Sequence, residues 1–324
     1  MRTFCFFGGA DVDVGVVPAK RWQRVQFAGE GFRRTVECSE TPYTLVRGED
    51  FFRQAMRVLT KRGVEFTWSC RSVELATAGV VVDGERRPFD VVIDAAFSSS
   101  GCSPVMWQSF AGMVIETEER SFDPGEAIVM DLVPSSVDAA VGFVYVLPFS
   151  ATEALIEHTT FSPTPLAPEE HFAGAARWLA RRGIVVRHEV SRESGAIPMG
   201  LPSGEWTPWP VVGTMGGAVR AGTGYGFLGI HRQAAALAEE LATVGRVPSG
   251  WRHQPTPLVL RTGDALFLRA LQRAPLVGAE LLAGILKRAR DRDIIAFLGG
   301  SAGVGQSLRV MGRVPKMTMV RALW

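Results

Sequence analysis

Val211-Val212-Gly213-Thr214-Met215-Gly216-Gly217-Ala218, followed three residues later by Gly222-Thr223-Gly224-Tyr225-Gly226-Phe227, joins an apolar strand to a helix predicted from about Leu228 to Leu241. A glycine-rich loop that leads into a helix N-terminus offers backbone N–H groups and the positive end of the helix dipole to an anion or to the polar edge of a ring system. A tight structural turn explains the same glycines about equally well. The pattern therefore predicts an α/β region and leaves the role of the loop open.

A second α/β segment lies earlier in the chain. Residues 49–62 carry apolar side chains on one helical face and basic side chains on another, and Gly63 ends the predicted helix. We then predict a strand at Val64–Trp68, a hairpin from Val73 to Phe89 and a buried strand at Val91–Ala95. Helix, strand, hairpin and apolar strand are typical of a nucleotide-binding sheet.

The middle of the chain has a different pattern. We predict strands at Met113–Thr117, Ala127–Leu132, Gly142–Leu147 and Ala154–Thr159, and one helix at 168–182 with an acidic first turn and a basic last turn. This block indicates an α+β substrate domain inserted into a discontinuous nucleotide domain. The predicted organisation is 1–40, strands of the substrate domain; 41–103, first part of the FAD-binding domain; 104–205, substrate domain; 206–250, second part of the FAD-binding domain; and 251–324, short helices near a membrane with breaks at Pro275, Gly299-Gly300 and Pro315.

The composition describes a globular protein with many turns. Hydrophobic residues make up 47% and charged residues 21% of the 324 residues, with 35 Gly, 19 Pro and a mean hydropathy of +0.12. The net charge of +2 is uneven, because residues 261–324 contain eleven Lys or Arg and four Asp or Glu. A basic, apolar tail is compatible with an anionic membrane surface, and solvated helix faces explain it equally well. Nucleic acid is not indicated, because the basic residues alternate with Leu, Ile and Val rather than with aromatics and glycines.

Neither a membrane-spanning helix nor a metal site is predicted. No run of about 18 uncharged apolar residues occurs, and the first residues lack the apolar region of a signal peptide, so we expect a cytoplasmic location. Cys5, Cys38, Cys70 and Cys102 form no Cys-x-x-Cys pair and are interpreted as free thiols. The five histidines lack the spacing of metal ligands.

Glu157 is the strongest candidate for a catalytic residue. It lies in the stretch Leu155-Ile156-Glu157-His158-Thr159-Thr160-Phe161-Ser162, where its neighbours are mostly apolar. Burial disfavours a charged carboxylate and raises its pKa, so a Glu in this setting can stay protonated near neutral pH and donate a proton. The alternative is a Glu that points to solvent from an alternating strand.

Several short motifs together resemble those of lycopene cyclases, flavoproteins that close β-ionone rings on carotenoids. Their order and spacing agree over nearly the whole chain. The motifs are Gln108-Ser109-Phe110-Ala111-Gly112 with Glu116-Thr117; Phe122-Asp123-Pro124; Met130-Asp131; Phe143-Val144-Tyr145-Val146-Leu147-Pro148; Ile156-Glu157-His158-Thr159; Glu193-Ser194-Gly195-Ala196-Ile197-Pro198-Met199; Gly213 to Phe227; and Pro315-Lys316.

The resemblance implies a flavoprotein hydroxylase-like fold: a Rossmann-like FAD-binding domain combined with a mixed-sheet substrate domain and a helical C-terminus. It implies reduced FAD as the cofactor, NADPH as the electron donor, lycopene or another linear carotene as the substrate, and peripheral attachment to a membrane. Glu157 matches the family's acid. Glu193 lies in a family motif and is interpreted as a second catalytic residue or, equally, as a group that hydrogen-bonds a loop. The residues expected at the flavin are Asp94, Gly213, Gly216, Gly217, Thr223, Gly224, Tyr225 and Gly226.

The implied reaction is an isomerisation, lycopene β-cyclisation. A proton from Glu157 adds to the terminal double bond of the carotene, the next π bond attacks the tertiary cation, and another proton is lost. The cation would be stabilised by the reduced flavin and by aromatic faces such as Tyr145, Trp206 and Trp209, which serve equally well as core or interfacial residues.

Two features depart from the family's pattern. His158 stands where relatives commonly have a second acid, and since adjacent strand residues point to opposite faces, only Glu157 is expected to enter the pocket. The chain also begins near the segment Thr3-Phe4-Cys5-Phe6, without the strand, Gly-x-Gly-x-x-Gly turn and helix of at least about 30 residues that hold the FAD pyrophosphate in relatives. Either the start codon is placed too late, or we expect a truncated gene product with badly weakened FAD binding.

Two other functions stay open from the sequence. A flavin-dependent monooxygenase or an isoprenoid reductase would use the same architecture for redox chemistry and consume one NADPH for each product. A truncated, flavin-free domain that binds apolar pigment would be colourless when purified.

Overall fold

A long mixed sheet forms the centre of the computed structural model, which describes residues 2–9, 11–76, 79–98, 103–134, 139–201, 207–247 and 251–323. The strands are β1 (Thr3–Phe7), β2 (Lys20–Trp22), β3 (Arg24–Gly29), β4 (Phe32–Glu37), β5 (Tyr43–Arg47), β6 (Val73–Ala76), β7 (Gly79–Val82), β8 (Glu85–Pro88), β9 (Met106–Thr117), β10 (Glu126–Val133), β11 (Val141–Pro148), β12 (Glu153–Ser162) and β13 (Val186–Met199). The helices are α1 (Gly48–Lys61), α2 (Pro168–Arg181), α3 (Phe227–Val244), α4 (Leu258–Arg273), α5 (Gly278–Arg288), α6 (Asp291–Leu298), α7 (Val304–Met311) and α8 (Lys316–Leu323), with a 3₁₀ turn at Pro275–Val277.

The central sheet has seven strands in the order β13, β9, β12, β11, β10, β3, β4. Neighbouring strands run antiparallel except β3 and β10, which are parallel. Strand β12 lies near the middle and pairs along its whole length with β9 and β11. Both faces of β12 are covered, so its alternating side chains enter two separate cores.

One face of the sheet is covered by α2. Ile156 and Val144 of the sheet pack there with Ala175, Trp178 and Leu179 of the helix in one apolar cluster. These helix positions recur at the spacing of a single helical face, so the amphipathic pattern of α2 positions it on the sheet.

The opposite face is covered by the C-terminal helices and by a second sheet of order β1, β5, β2. Leu155, Phe143 and Phe161 point into this larger core, where they pack in one cluster with Tyr43 of β5 and Leu286 of α5. The C-terminal helices are therefore part of the main core, because they bury the face that α2 leaves open.

Outside these layers, residues from α1 to about 98 are more exposed. Strands β6, β7 and β8 form a small antiparallel meander. Phe52 of α1 is 55% exposed, and Trp68 is 68% exposed.

Most of the predicted elements are confirmed. The four strands of the middle block, the helix at 168–182 and the helix after the glycine loop are present within a few residues of their predicted bounds, and short helices follow Pro257. The segment predicted as a two-stranded hairpin at 73–89 forms a sheet of three strands.

Two predicted strands are wrong. Val64–Trp68 has no regular structure and no strand partner among the described residues, and Val91–Ala95 forms only one parallel bridge there, between Asp94 and Val211. An apolar run forms a strand only where a neighbour pairs with it, and these segments lack one along their length. Among the described helices, none is long and apolar enough to cross a membrane.

Candidate functional site

A cavity of about 340 Å³ lies between the central sheet, strand β1 and the glycine loop that precedes α3. The central sheet contributes Tyr145, Leu155 and Glu157 to its wall, β1 contributes Phe4, and the glycine loop contributes Tyr225. The cavity wall is mostly apolar and aromatic, with few polar groups, as is typical of small-molecule sites.

Glu157 projects from β12 into this cavity, as the sequence predicted. Its carboxylate accepts one long hydrogen bond, 3.3 Å, from the Thr159 hydroxyl. Burial in the apolar wall, reinforced by the nearby charge of Glu193, raises the pKa of Glu157 to about 8. A carboxyl group with this pKa is protonated at neutral pH and can act as an acid.

Glu193 lies on β13, two strands away from Glu157, and also lines the cavity. Its carboxylate accepts hydrogen bonds from the backbone N–H of Thr3 at 2.9 Å and from the Thr3 hydroxyl at 2.7 Å. Burial raises the pKa of Glu193, while both Thr3 donors act in the opposite direction. These two bonds agree with the interpretation of Glu193 as a group that hydrogen-bonds a backbone segment.

All three tyrosines of the chain, Tyr43, Tyr145 and Tyr225, line the cavity. Burial raises the pKa of each phenol, that of Tyr225 to about 12. The phenols of Tyr43 and Tyr145 lie close enough to influence the Tyr225 pKa, yet among the described residues no group meets hydrogen-bond geometry with the Tyr225 hydroxyl. The three rings are therefore neutral and present electron-rich faces to the cavity.

Gln108 of β9 also faces the cavity and is 5% exposed. Its Oε1 atom has no hydrogen-bond partner among the described residues. A Cβ atom at Gly224 would lie 2.1 Å from this oxygen, so only glycine permits the approach of loop and strand. A buried acceptor and a buried hydroxyl without partners at one site indicate space for a polar ligand edge.

The first part of the glycine loop is held by α3. Gln233 of α3, fully buried, accepts a hydrogen bond from the Gly213 N–H at 2.7 Å and donates to the Gly216 carbonyl at 2.9 Å. Gly217 N–H donates to the Thr214 carbonyl at 3.1 Å. The glycine pattern predicted bare N–H groups in this loop, and for Gly213 and Gly217 that prediction is wrong, because both N–H groups are bonded within the protein.

Steric and conformational constraints also require glycine at positions in this loop. A Cβ atom at Gly216 would lie 2.4 Å from the Val211 carbonyl oxygen, and Gly213 and Gly217 adopt φ angles of 73° and 76°. The tight turn thus requires glycine at these positions, and none of the three lines the cavity.

The second part of the loop is tied to the C-terminal helices. Arg220 forms a bidentate ion pair with Asp264 of α4, both bonds being 3.0 Å, and the two side chains are 3% and 4% exposed. Thr223 and Gly224 fold back through N–H bonds to the Arg220 carbonyl, and Gly226 is the residue before α3. The ion pair thus fixes the loop segment that carries Tyr225.

Asp94 lies beside the start of the loop. Its backbone carbonyl accepts the Val212 N–H at 2.8 Å, and its carboxylate accepts the Ala96 N–H at 2.9 Å. The bridge between Asp94 and Val211 brings together the two halves of the region predicted as nucleotide-binding. Asp94 is not among the residues that line the cavity.

The three aromatic residues predicted to stabilise a cation differ in their position relative to the cavity. Tyr145 lines the cavity; Trp209 is described but does not line it; and Trp206 lies outside the described residues, as does Cys102. The described cysteines, Cys5, Cys38 and Cys70, are free thiols, as predicted.

His158 points away from the cavity, into the core under α2. Its Nδ1 lies 3.1 Å from Nδ1 of His171, whose Nε2 lies 3.1 Å from the Ser109 hydroxyl. Burial and the neighbouring His171 lower the pKa of His158 to about 4. The prediction that adjacent residues on this strand enter different environments is confirmed.

Sequence reasoning gave no role to Gly112, Thr3, Gln233 or Tyr43. Gln108 had a detectable signal, because it is a polar residue inside an apolar strand, as Glu157 is. Thr3 contributes to the site through Glu193, which is far away along the chain. No local sequence pattern indicates such a contact.

Comparison with solved structures defines the class of fold. The chain superposes on a geranylgeranyl bacteriochlorophyll reductase-like protein from Thermoplasma acidophilum with a TM-score of 0.53 at 12% identity, covering 98% of this chain and 89% of that one. The flavin-dependent brominase Bmp2 gives a TM-score of 0.53 at 15% identity over 87% and 77% of the two chains. A flavoprotein/dehydrogenase from Cytophaga hutchinsonii gives 0.52 at 12% identity over 94% and 82%. The fold is that of the flavoprotein hydroxylases and reductases, as predicted.

Within this class the family is defined by sequence. The family described as lycopene cyclase protein matches residues 2–323, and the chain belongs to it. A lycopene beta-cyclase from Paracoccus sp. (strain N81106 / MBIC 01143) is 30% identical over 181 residues, which is 52% of this chain and 45% of that protein. This match thus spans less than half of the length of the relative.

Proposed function

We propose that this chain is a lycopene β-cyclase that closes the linear ends of lycopene by acid catalysis, without net oxidation or reduction. The observation that carries the proposal is Glu157, a carboxylic acid with a pKa of about 8 in an apolar, aromatic cavity. A hydrocarbon offers a weakly basic double bond, so its protonation needs an acid that is held in its neutral form beside the bond.

The proposed steps balance in atoms and electrons. The Glu157 proton adds to the terminal carbon–carbon double bond and leaves a tertiary cation. The next double bond attacks this cation and forms the ring carbon–carbon bond. The ring carbon adjacent to the new cation then loses a proton to the Glu157 carboxylate, which restores the acid. The product has the same formula as the substrate, so the reaction is an isomerisation.

The aromatic wall serves the cationic stage. Tyr43, Tyr145 and Tyr225 are neutral because burial raises their pKa values, and the faces of neutral phenols attract cations. Leu155 and Phe4 exclude water from the same wall. Exclusion of water protects the cation from capture as an alcohol.

The residues of the cavity fit a flavin. The Oε1 atom of Gln108 is an unpartnered acceptor, the Tyr225 hydroxyl is an unpartnered donor, and Gly224 keeps the loop close without a side chain. Gln108 and the cavity-lining loop residues Thr214, Gly224, Tyr225 and Gly226 would hold the polar edge of FAD. Reduced, anionic FAD would supply negative charge near the cation, with NADPH as the source of the electrons.

Exposed apolar residues support access from a membrane surface. On the C-terminal helices and the turn between them, Leu258 is 72%, Leu276 92% and Met317 67% exposed. Eleven basic residues lie in the same region of sequence, from 261 to 324. Apolar side chains with basic neighbours match a surface that rests on anionic lipid, and linear carotenes are stored in such membranes' apolar interior.

The test is pigment chromatography of lycopene-accumulating bacteria that express this chain. We expect γ-carotene or β-carotene, with the mass of lycopene. Products heavier by oxygen or by hydrogen would support a monooxygenase or a reductase instead. Unchanged lycopene, with a purified protein that shows no flavin absorbance, would support a pigment-binding fragment.

A further inference from the structure

Glu157 and Glu193 are linked by the register of three strands. On the antiparallel pair β12 and β9, Glu157 lies opposite Gly112, and on the pair β13 and β9, Glu193 lies opposite the same Gly112. Directly opposite residues of antiparallel strands project from the same face of a sheet. The two acids therefore flank one glycine on the cavity face.

Gly112 leaves the space between these acids without a side chain. A Cβ atom at Gly112 would lie 3.0 Å from the Cβ of Glu157 and 3.0 Å from Cδ1 of Leu155. A small gap at this point is bounded by Gly112, Leu155, Glu193 and Thr3. Gly112 itself thus places no side chain between the two acids on the cavity face.

The two acids have unequal hydrogen bonds. Each oxygen of Glu193 accepts one bond from Thr3, at 2.9 Å and 2.7 Å, while Glu157 accepts only the 3.3 Å bond from Thr159. Two donors on two oxygens stabilise the ionised form of a carboxyl group. The neighbouring Arg2 favours the same form at Glu193.

We propose that Glu193, held as a carboxylate by Thr3, is a positioning residue that keeps the transferable proton on Glu157 across Gly112. This inference rests on the proposed function, since it assigns the division of roles within the same site. Glu193 takes the part of the second acid that the adjacent position, His158, does not supply. The charge of Glu193 disfavours ionisation of Glu157, so the proton stays on the less well bonded acid.

Other titratable groups also face this pair. They come from the N-terminal segment, β1, β5, β11 and the glycine loop, and they are Arg2, Cys5, Tyr43, Tyr145 and Tyr225. The thiol and the three phenols have raised pKa values and are neutral in the range in which the acids titrate. Arg2 is a cation near Glu193, and together with the Thr3 donors it favours the ionised form of that acid.

The experiment titrates Glu157 directly in the full chain, by NMR of protein labelled with ¹³C at the glutamate carboxyl. The signal of Glu157 is assigned by its disappearance in Glu157→Gln. In Glu193→Gln we expect the titration midpoint of Glu157 to fall by about one pH unit or more, because a neutral amide replaces the nearby charge. The matched control is Glu189→Gln on the same strand, where Glu189 pairs with Arg192 on the exposed side, and no shift is expected.

A second variant covers the case in which Glu193→Gln does not fold. Thr3→Val keeps both acids and removes the hydroxyl donor, so the lower of the two midpoints of the pair should rise. Unchanged midpoints in both variants, or a higher Glu157 midpoint in Glu193→Gln, would overturn the inference. The titration needs no carotene, so a protein that shows the shift and makes no rings would reject the proposed function alone.

Discussion

Glu157 and His158 are neighbours on β12, yet they face different halves of the molecule. Glu157 faces a cavity and has one weak hydrogen-bond partner, whereas His158 faces α2 and packs against a second histidine. Burial makes both neutral: it raises the pKa of the acid to about 8 and lowers that of the base to about 4. Similar desolvation thus acts on both groups, and the difference between them is that only Glu157 lines the cavity.

The histidine face is closed by direct contacts. Ser109 links His171 to Thr160 through bonds of 3.1 Å and 3.2 Å, and it also accepts the Leu166 N–H at 3.1 Å. Gly174 of α2 lies against the His158 ring. This network fastens α2 to the strand that carries Glu157, so its role is structural.

The largest expected effect is on activity. Glu157→Gln keeps the shape of the side chain and removes the acidic proton, so ring closure should fall by at least about 100-fold. Chromatography of the carotene products, with flavin content measured in parallel, checks this. Glu153→Gln, four residues earlier on the same strand, is the control and should keep normal activity; a Glu157→Gln protein that retains it would remove Glu157 from the mechanism.

A second prediction concerns the closed face. In Gly174→Ala the new Cβ would lie 2.6 Å from Cγ of His158, so α2 must shift, and we expect a loss of about 2–3 kcal/mol in the free energy of unfolding. Urea denaturation measures it, with Ala176→Ser on the exposed side of α2 as the control. Adding His158→Ala should recover part of the loss; a double variant no better than the single one would contradict the contact.

A third prediction uses the pH dependence of the cavity face. Because the folded pKa of Glu157 lies above its ordinary value of 4.5, its contribution to stability is greatest below pH 4.5 and falls as the pH rises towards 8. Glu157→Gln lacks this loss, so its stability relative to the wild type should increase by about 2–3 kcal/mol from pH 4.5 to pH 8. Unfolding curves at several pH values test it, and a constant difference would count against a protonated Glu157.

The smallest prediction is the opposite pH dependence on the histidine face. The folded pKa of His158 lies below its ordinary value of 6.5, so its contribution to stability is complete above pH 6.5 and is lost as the pH falls towards about 4. His158→Gln should remove about 1–2 kcal/mol of this acid sensitivity. The same unfolding series measures it, and an acid sensitivity equal to that of the wild type would show that other groups cause it.

The sequence predicted the central sheet and Glu157 because their signals are local. Strands β9 to β12 have long apolar runs, and α2 has acidic and basic ends and a glycine stop, so each element is marked by its own residues. The apolar run at Val91–Ala95 carries a similar signal, yet its backbone finds only one bridge partner, at Val211. Pairing depends on residues far along the chain, and composition does not show it.

The parts of the site that sequence missed depend on register. Glu193 is held by Thr3, 190 residues away, and Gly112 separates the two acids only because β12 and β13 both pair with β9. A shift of one residue in either pairing would turn one acid to the other face. The position of both acids opposite Gly112 is therefore a property of the assembled sheet, and no local sequence pattern shows it.

The most direct test of acid-catalysed, non-redox ring closure is to run the reaction in D₂O with reduced FAD and with lycopene in lipid vesicles. The molecular mass of the product is then measured by mass spectrometry. We expect one deuterium for each ring formed and no other change in mass, with no labelled product from Glu157→Gln. Ring formation without deuterium, or a gain of two hydrogens for each product, would contradict proton transfer from Glu157.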